Sequence, residues 1–227
     1  MINTDEILFR CSSLGHLMTE PKSKSETLSE TTKNHLVDVW IRHKYNRKEL
    51  ITSKYMEKGV MVEEDAMTLY SRFRKQYYVK NEKMLTDDFI KGIPDIITEK
   101  TVIDLKSSWD IFTFFRTKQK AVEKMYYWQL QGYMSLTGKE NARLVYCLVN
   151  TPQVLIDDEI HRLQYKHLSE ADAIKARNQI EMNSIFDDID IQDKIYEIEI
   201  KRNNEDIERL HNRIIDCRNW IAENLKF

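Results

Sequence analysis

Between residues 101 and 106 apolar and polar side chains alternate with a period of two, the pattern of a half-buried strand. Ile103 and Leu105 point one way, toward a core, and Asp104 and Lys106 point the other way, side by side. Similar patterning predicts strands over 79–84, 89–93 and 96–98, with Asp87 and Asp88 suited to the turn between the first two. Residues 79–106 are therefore expected to form an antiparallel meander. The nearly continuous apolar run 142–149 reads as a buried strand. Residues 194–200, with Tyr196, Ile198 and Ile200 on one face, read as an amphipathic one.

Helical periodicity accounts for most of the remainder. A helix over 29–45 carries Leu36, Val37, Trp40 and Ile41 on one face. A longer helix over 53–74, capped by Ser53, carries the stripe Met56, Val60, Ala66, Met67, Tyr70 and Phe73. Glu63 falls in the middle of that stripe, whereas Glu64 sits at its edge and Asp65 faces away. A carboxylate so placed is costly unless it pairs with a cation or binds a metal, and both readings stand. A third helix over 119–136 turns Ala121, Met125, Gly132 and Leu136 inward. It puts Gln129 near the centre of that face, with Tyr133 beside it one turn on, and Gly138 ends it.

Residues 157–186 are helical and polar. The last helix, over 204–225, spaces Ile207, Leu210, Ile214, Cys217 and Ile221 for burial, and this tail is expected to be a lid or flank on the sheet. At the start of the chain an irregular lead, 9–13, runs into a brief helix over 14–18. Ser12 and Ser13 either cap that helix or, with Arg10, offer a phosphate site. The basic run 42–48 is either a solvated helix end or a phosphate-tracking patch. The aromatic and basic stretch 111–124 divides in the same way between core packing and stacking on bases.

Composition narrows this picture. With 227 residues, 41% apolar and 32% charged, and only five Gly and three Pro, the chain reads as a helix-rich soluble protein. It is expected to be one domain, with a core over about 9–152 and an extension over 153–227. No apolar run approaches the roughly 20 residues of a membrane span, and the N-terminus lacks signal-peptide regions. Cys11, Cys147 and Cys217 are far apart and odd in number, which implies reduced thiols in a cytoplasmic protein. The net charge of −2 hides an asymmetry: residues 1–150 hold 24 Lys+Arg against 20 Asp+Glu, and residues 151–227 hold 11 against 17. The basic share thus lies with residues 101–106, where a polyanion would need it.

The chemistry centres on that stretch. A second carboxylate, Asp95, arrives from residues 92–95 just upstream. Two carboxylates and an ammonium on rigid β-structure can bind a hard divalent cation and orient a water beside it, the equipment for hydrolysing a phosphodiester. A helix with an inward Glu63, then Pro94 and Asp95, then Asp104 and Lys106, then a helix with Gln129 and Tyr133 resembles the PD-(D/E)xK nuclease superfamily. Gly59 four residues before Glu63, the serine-bearing residues 11–14, the run 129–133 and residues 150–152 extend the resemblance to the branch of phage lambda exonuclease and the YqaJ-type viral recombinases.

The resemblance implies an α/β fold of the restriction-endonuclease type, a central mixed sheet flanked by helices, with a helical C-terminal extension. It implies metal-dependent exonuclease action on double-stranded DNA ends, running 5′ to 3′, in phage-type recombination in a bacterial or phage-infected cytoplasm. A structure- or sequence-specific endonuclease, or a catalytically inactive DNA-binding relative of the same fold, is the alternative. Asp95, Asp104 and the Leu105 carbonyl would ligate Mg²⁺ or Mn²⁺, and Glu63 would serve a second ion. Lys106 would orient and help deprotonate the attacking water. Gln129 and Gln131 would contact the DNA strand near the scissile phosphate, with Tyr133 beside them. Ser13 and Arg10 match the residues that hold a 5′-phosphate, whereas Ile93 departs from a phosphate-binding serine of that branch. A single-strand annealing protein and a ring-shaped trimer are the partners implied. With three scattered cysteines, no iron–sulfur cluster is expected.

Overall fold

The computed structural model describes residues 3–49, 53–163 and 168–226. In chain order they form β1 (Phe9–Arg10), α1 (Leu14–Leu17), α2 (Glu30–Tyr45), α3 (Lys54–Met61), α4 (Glu63–Arg74), β2 (Leu85–Thr86), β3 (Ile90–Gly92), β4 (Ile96–Ile97), β5 (Thr101–Ser107), α5 (Ile111–Thr117), α6 (Lys124–Thr137), β6 (Asn141–Cys147), α7 (Gln153–Leu163), α8 (Glu170–Met182), β7 (Ile195–Lys201) and α9 (Asn204–Asn224). The expected mixed α/β architecture is present.

Its centre is a four-stranded sheet in the order β4-β5-β6-β7, in which β5 and β6 run parallel and the outer pairs antiparallel. The alternation along β5 sorts two cores. Val102 joins the larger one, built from α1, α2, α6 and α9 on one face of the sheet. Ile103 and Leu105 join the smaller one under α4, with Val62, Ala66 and Tyr70. Between α4 and α6, β6 is covered on both faces, which is why 142–149 reads as an unbroken apolar run.

Several expectations are corrected. Residues 79–84 form no strand, and the meander divides: β3 pairs with β1 and β2 in a separate three-stranded sheet, while β4 pairs with β5. Tyr78 is held by stacking on Tyr70 at 5.2 Å rather than by a partner strand. The helix expected over 53–74 breaks at Val62 (φ −106°, ψ 15°) into α3 and α4. The break redirects the first half, so that Met56 and Val60 are 57% and 76% exposed while Lys58 and Val62 are buried. The helix expected from 119 starts at Lys124 and leaves Ala121 exposed, and its middle, Trp128–Met134, is buried on every side. Of the two readings of the tail, lid or flank on the sheet, the structure realises the flank. β7 completes the sheet, and the five predicted apolar positions of α9 all lie in the larger core.

Candidate active site

The β4–β5 pairing ends at Ile96 opposite Ile103. Upstream, Pro94 and Asp95 diverge from the sheet, so the edge of β5 beyond Ile103 is left without a partner strand on that side. The Asp95 carboxylate fills the gap, its Oδ2 accepting a 2.6 Å hydrogen bond from the Leu105 N–H. Because a strand residue directs its N–H and C=O to the same side, the Leu105 carbonyl faces this open edge as well.

Asp104 is only 2% exposed. Its Oδ1 accepts from Gln129 Nε2 at 2.9 Å, and its Oδ2 lies 2.8 Å from Lys106 Nζ. That Oδ2 is buried and makes no well-aligned hydrogen bond. Two carboxylates therefore share one ammonium in a poorly solvated place. Burial and then the charge of Asp104 hold the Asp95 carboxyl above the usual carboxylate range, against the Leu105 N–H and Lys106. Burial draws Lys106 down, but the charge and contact of Asp104 outweigh it and leave the ammonium held above its ordinary range. The site is short of positive charge, which is what a divalent cation supplies. The donor set fits such an ion in type, two carboxylates and a carbonyl being hard oxygen ligands. Among the described residues, however, no three His, Cys, Asp or Glu side chains already converge as a metal cage.

Glu63 opens α4 and is half-buried at the rim of a cleft of about 550 Å³ that Asp95, Leu105, Lys106 and Tyr126 also line. It does not face the core as the single-helix pattern implied, because the break at Val62 turns it outward. Its Oε2 pairs with Lys80 Nζ at 3.1 Å, the first of the two readings left open for it. Its charge still reaches Asp95 as one of the influences raising that carboxyl.

Gln129 and Tyr133 are buried, and they link the site to β3. Gln129 Nε2 also donates to Tyr133 Oη at 3.0 Å, and Tyr133 Oη donates to the Ile93 carbonyl at 3.2 Å. Gly92 permits this approach, since a Cβ there would lie 2.6 Å from Tyr133 Cε1. Gln131 is a correction. It is 0% exposed, its Nε2 donates to the Lys201 carbonyl and its Oε1 accepts from the Asn203 N–H, both at 2.9 Å. Both ends of that amide are occupied in joining β7 to α9, so Gln131 has no face to offer DNA.

Arg10 and Ser13 line a second pocket of about 430 Å³ together with Arg42, His43, Lys48 and Lys91, against a single described carboxylate, Glu6. Ser13 does not cap α1; its hydroxyl donates to the Arg10 carbonyl at 3.0 Å. Arg42 Nε is buried without a hydrogen-bond partner. Burial, with Arg10 and Arg42 nearby, lowers Lys91 below the ordinary lysine range. Cations gathered around one pocket with a single carboxylate among them suit an anion. Arg42, His43 and Lys48 come from the basic run 42–48, one of whose two readings is a phosphate-tracking patch, whereas Lys91 carries no such reading and no signal beyond its position next to Gly92. In the aromatic stretch Phe114 is buried, while Phe112 and Phe115 are 52% and 42% exposed.

No protein-family model and no curated protein matches the sequence. Solved structures do match over nearly the whole chain. A phage-related exonuclease from Haemophilus somnus 129PT is 27% identical with a TM-score of 0.78, covering 97% of this chain and 96% of that one. An alkaline exonuclease, LHK-Exo, from Laribacter hongkongensis is 13% identical with a TM-score of 0.66, covering 98% and 91%. The same enzyme in complex with dAMP is 14% identical with a TM-score of 0.67 over the same shares. The structural relatives of this chain are thus phage-type and alkaline exonucleases, and the PD-(D/E)xK resemblance holds for the fold as a whole.

Proposed function

We propose that this chain, built on the fold of the phage-related exonucleases, is a divalent-metal-dependent deoxyribonuclease that shortens double-stranded DNA from its ends. The observation that carries the reading is the pair of carboxylates, half-buried Asp95 and buried Asp104, beside one ammonium at the open edge of β5. Mg²⁺ or Mn²⁺ would be held by Asp95, Asp104 and the Leu105 carbonyl, with Glu63 serving a second ion. When bound, such ions polarise the phosphoryl oxygens and lower the pKa of the attacking water. Lys106 orients that water and stabilises charge developing on the phosphoryl group. Gln129 holds Asp104 in its rotamer and Tyr133 holds Gln129, so both act by positioning. Digestion from the 5′ end, with the terminal phosphate received by Arg10, Ser13, Arg42 and Lys91, is supported by the cationic pocket. The relative's complex with dAMP supports a DNA-derived substrate. Delivery of the exposed strand to a single-strand annealing protein, and a ring-shaped trimer, follow from the resemblance.

End-labelled linear duplex and covalently closed circular duplex, incubated in Mg²⁺ and in EDTA, test the reading. Linear DNA should be digested only in Mg²⁺, faster with a 5′-phosphate than with a 5′-hydroxyl, while the closed circle survives. Cleavage of the circle would make the chain an endonuclease, and digestion in EDTA would remove the metal.

Glu63→Gln should reduce the rate far more than Glu64→Gln, because only Glu63 lines the cleft that Asp95 and Lys106 share. A difference on the order of 10-fold is expected for a ligand that acts beside two others. Equal rates for the two variants would mean that Glu63 serves only as the partner of Lys80.

A further inference from the structure

Residues 77–84 belong to no helix and no strand, yet one of them is held tightly. The Asn81 N–H donates to the Asp95 carbonyl at 2.8 Å. Its Nδ2 donates to the Pro94 carbonyl at 3.0 Å and to the Lys83 carbonyl at 3.1 Å, and its Oδ1 accepts from the Lys83 N–H at 3.3 Å. Together with Tyr133 on the Ile93 carbonyl, these bonds engage three successive carbonyls of the turn between β3 and β4. Pro94 has no N–H with which to anchor itself. The neighbouring residue, Lys80, pairs with Glu63. Adjacent residues of one irregular segment thus address two of the acids in the cleft.

We propose that Asn81 is a positioning residue that locks the Pro94–Asp95 turn through its main-chain N–H and side-chain amide, and so aims the Asp95 carboxylate at the Leu105 edge. The requirement is narrow. The side chain must donate to Pro94 and Lys83 while it accepts from the Lys83 N–H, and among side chains of this length only an amide does both. Aspartate keeps the acceptor and loses the donors, so it sets a carboxylate against the Pro94 carbonyl. A misplacement of a reacting group by about 1 Å costs on the order of 100-fold in rate.

This inference rests on the nuclease reading, and the test keeps the two apart. In full-length protein, Asn81→Asp and Asn81→Ser are compared with wild type for kcat and KM on linear duplex, for Mn²⁺ affinity by calorimetry without DNA, and for melting temperature. The expected result is a fall in kcat of about 30- to 100-fold, KM within about 3-fold, and Mn²⁺ binding weakened by about 10-fold or more. The serine variant removes the amide without adding a charge, and serves if the aspartate protein does not fold. Wild-type kcat and Mn²⁺ affinity in a folded variant would overturn the role of Asn81. So would a loss of activity that merely follows the loss of folded protein. Absence of Mn²⁺ binding and of digestion in wild type would instead remove the nuclease reading.

Discussion

Asp104→Asn is expected to abolish metal-dependent digestion and at the same time to stabilise the protein at neutral pH when no divalent ion is present. The loss of activity should be at least on the order of 1,000-fold, since a ligand to a Lewis-acidic ion supports several kcal/mol of charge stabilisation. The gain in stability follows from the electrostatics. A carboxyl whose folded pKa is raised, as burial and the charge of Asp104 raise that of Asp95, destabilises the fold as pH climbs from the unfolded value to the folded one. Asparagine also breaks the contact with Lys106, but the ammonium keeps the charge of Asp95 beside it. With the repulsion gone and an oxygen kept for Gln129, the melting temperature should rise and its decline above pH 4 should flatten. Lys106→Ala should also be inactive but should move stability the other way, because it leaves buried Asp104 and half-buried Asp95 without their shared counter-charge. Breaking such a pair costs about 3–5 kcal/mol when fully buried and less here, Lys106 being 27% exposed. Divalent ion should restore part of that loss by replacing the ammonium. Thermal melts of both variants, with and without Mg²⁺ across pH 4–8, check all of this; a drop in melting temperature for Asp104→Asn would make Asp104 a structural brace.

The parts of the site that could be read from sequence are those where a polar residue interrupts a strong local pattern. Asp104 and Lys106 alternate with Ile103 and Leu105, and the period of two determines their faces once the segment is a strand. Gln129 was legible as an amide in an otherwise apolar helix centre, and the partner it found is a buried carboxylate. Its neighbour Gln131 looked equivalent and is not, since its partners belong to β7 and the start of α9, some 70 residues later in the chain. No local pattern carries that information. The same holds for the tail, whose amphipathic strand and helix were predicted with nearly their observed limits, but not their pairing with β6 and burial in the main core.

The errors cluster around α3 and α4. Nothing between residues 53 and 74 announces a break at Val62; valine is no helix breaker, and Gly59 lies inside α3. The α4 half of the expected stripe holds, with Ala66 and Tyr70 buried and Met67 and Phe73 packed against them. In α3, however, Lys58 replaces Met56 and Val60, and Val62 follows at the break, so that Lys58, Val62, Ala66 and Tyr70 are buried at a spacing of four. Sequence reasoning preferred Met56 and Val60 because they are apolar, and it passed over a stripe that began with lysine. Placing Glu63 in the cleft thus rested on a helix face that the break displaces. The strand expected over 79–84 failed for a related reason. Tyr77, Tyr78 and Val79 have strand propensity, but Tyr78 is taken by Tyr70 and Asn81 by the Asp95 turn, so tertiary contacts override propensity.

Lys58→Met should be the most destabilising single substitution away from the carboxylates. The side chain is 1% exposed, and Nζ donates to the Ser108 and Trp109 carbonyls, both at 2.8 Å, with the rings of Trp109 and Phe186 within 5.8 Å and 5.4 Å. It thereby ties α3 to the chain two residues beyond Lys106. Methionine fills the volume but leaves two carbonyls without donors, a loss of about 2–4 kcal/mol, or a melting temperature lower by roughly 5–12 °C for a chain of this size. The pH dependence has a definite sign. Burial, opposed by Asp110, pulls Lys58 down to about 7. A lysine whose folded pKa lies below its unfolded one makes folding release a proton, so its contribution to stability declines as pH falls from about 10.5 toward that folded value. The difference between wild type and Lys58→Met should accordingly be larger at pH 9.5 than at pH 7. A difference that grows on going to pH 7 would mean that the two carbonyls favour the ammonium more strongly than burial opposes it, and that the clamp holding α3 to the site is a charged one.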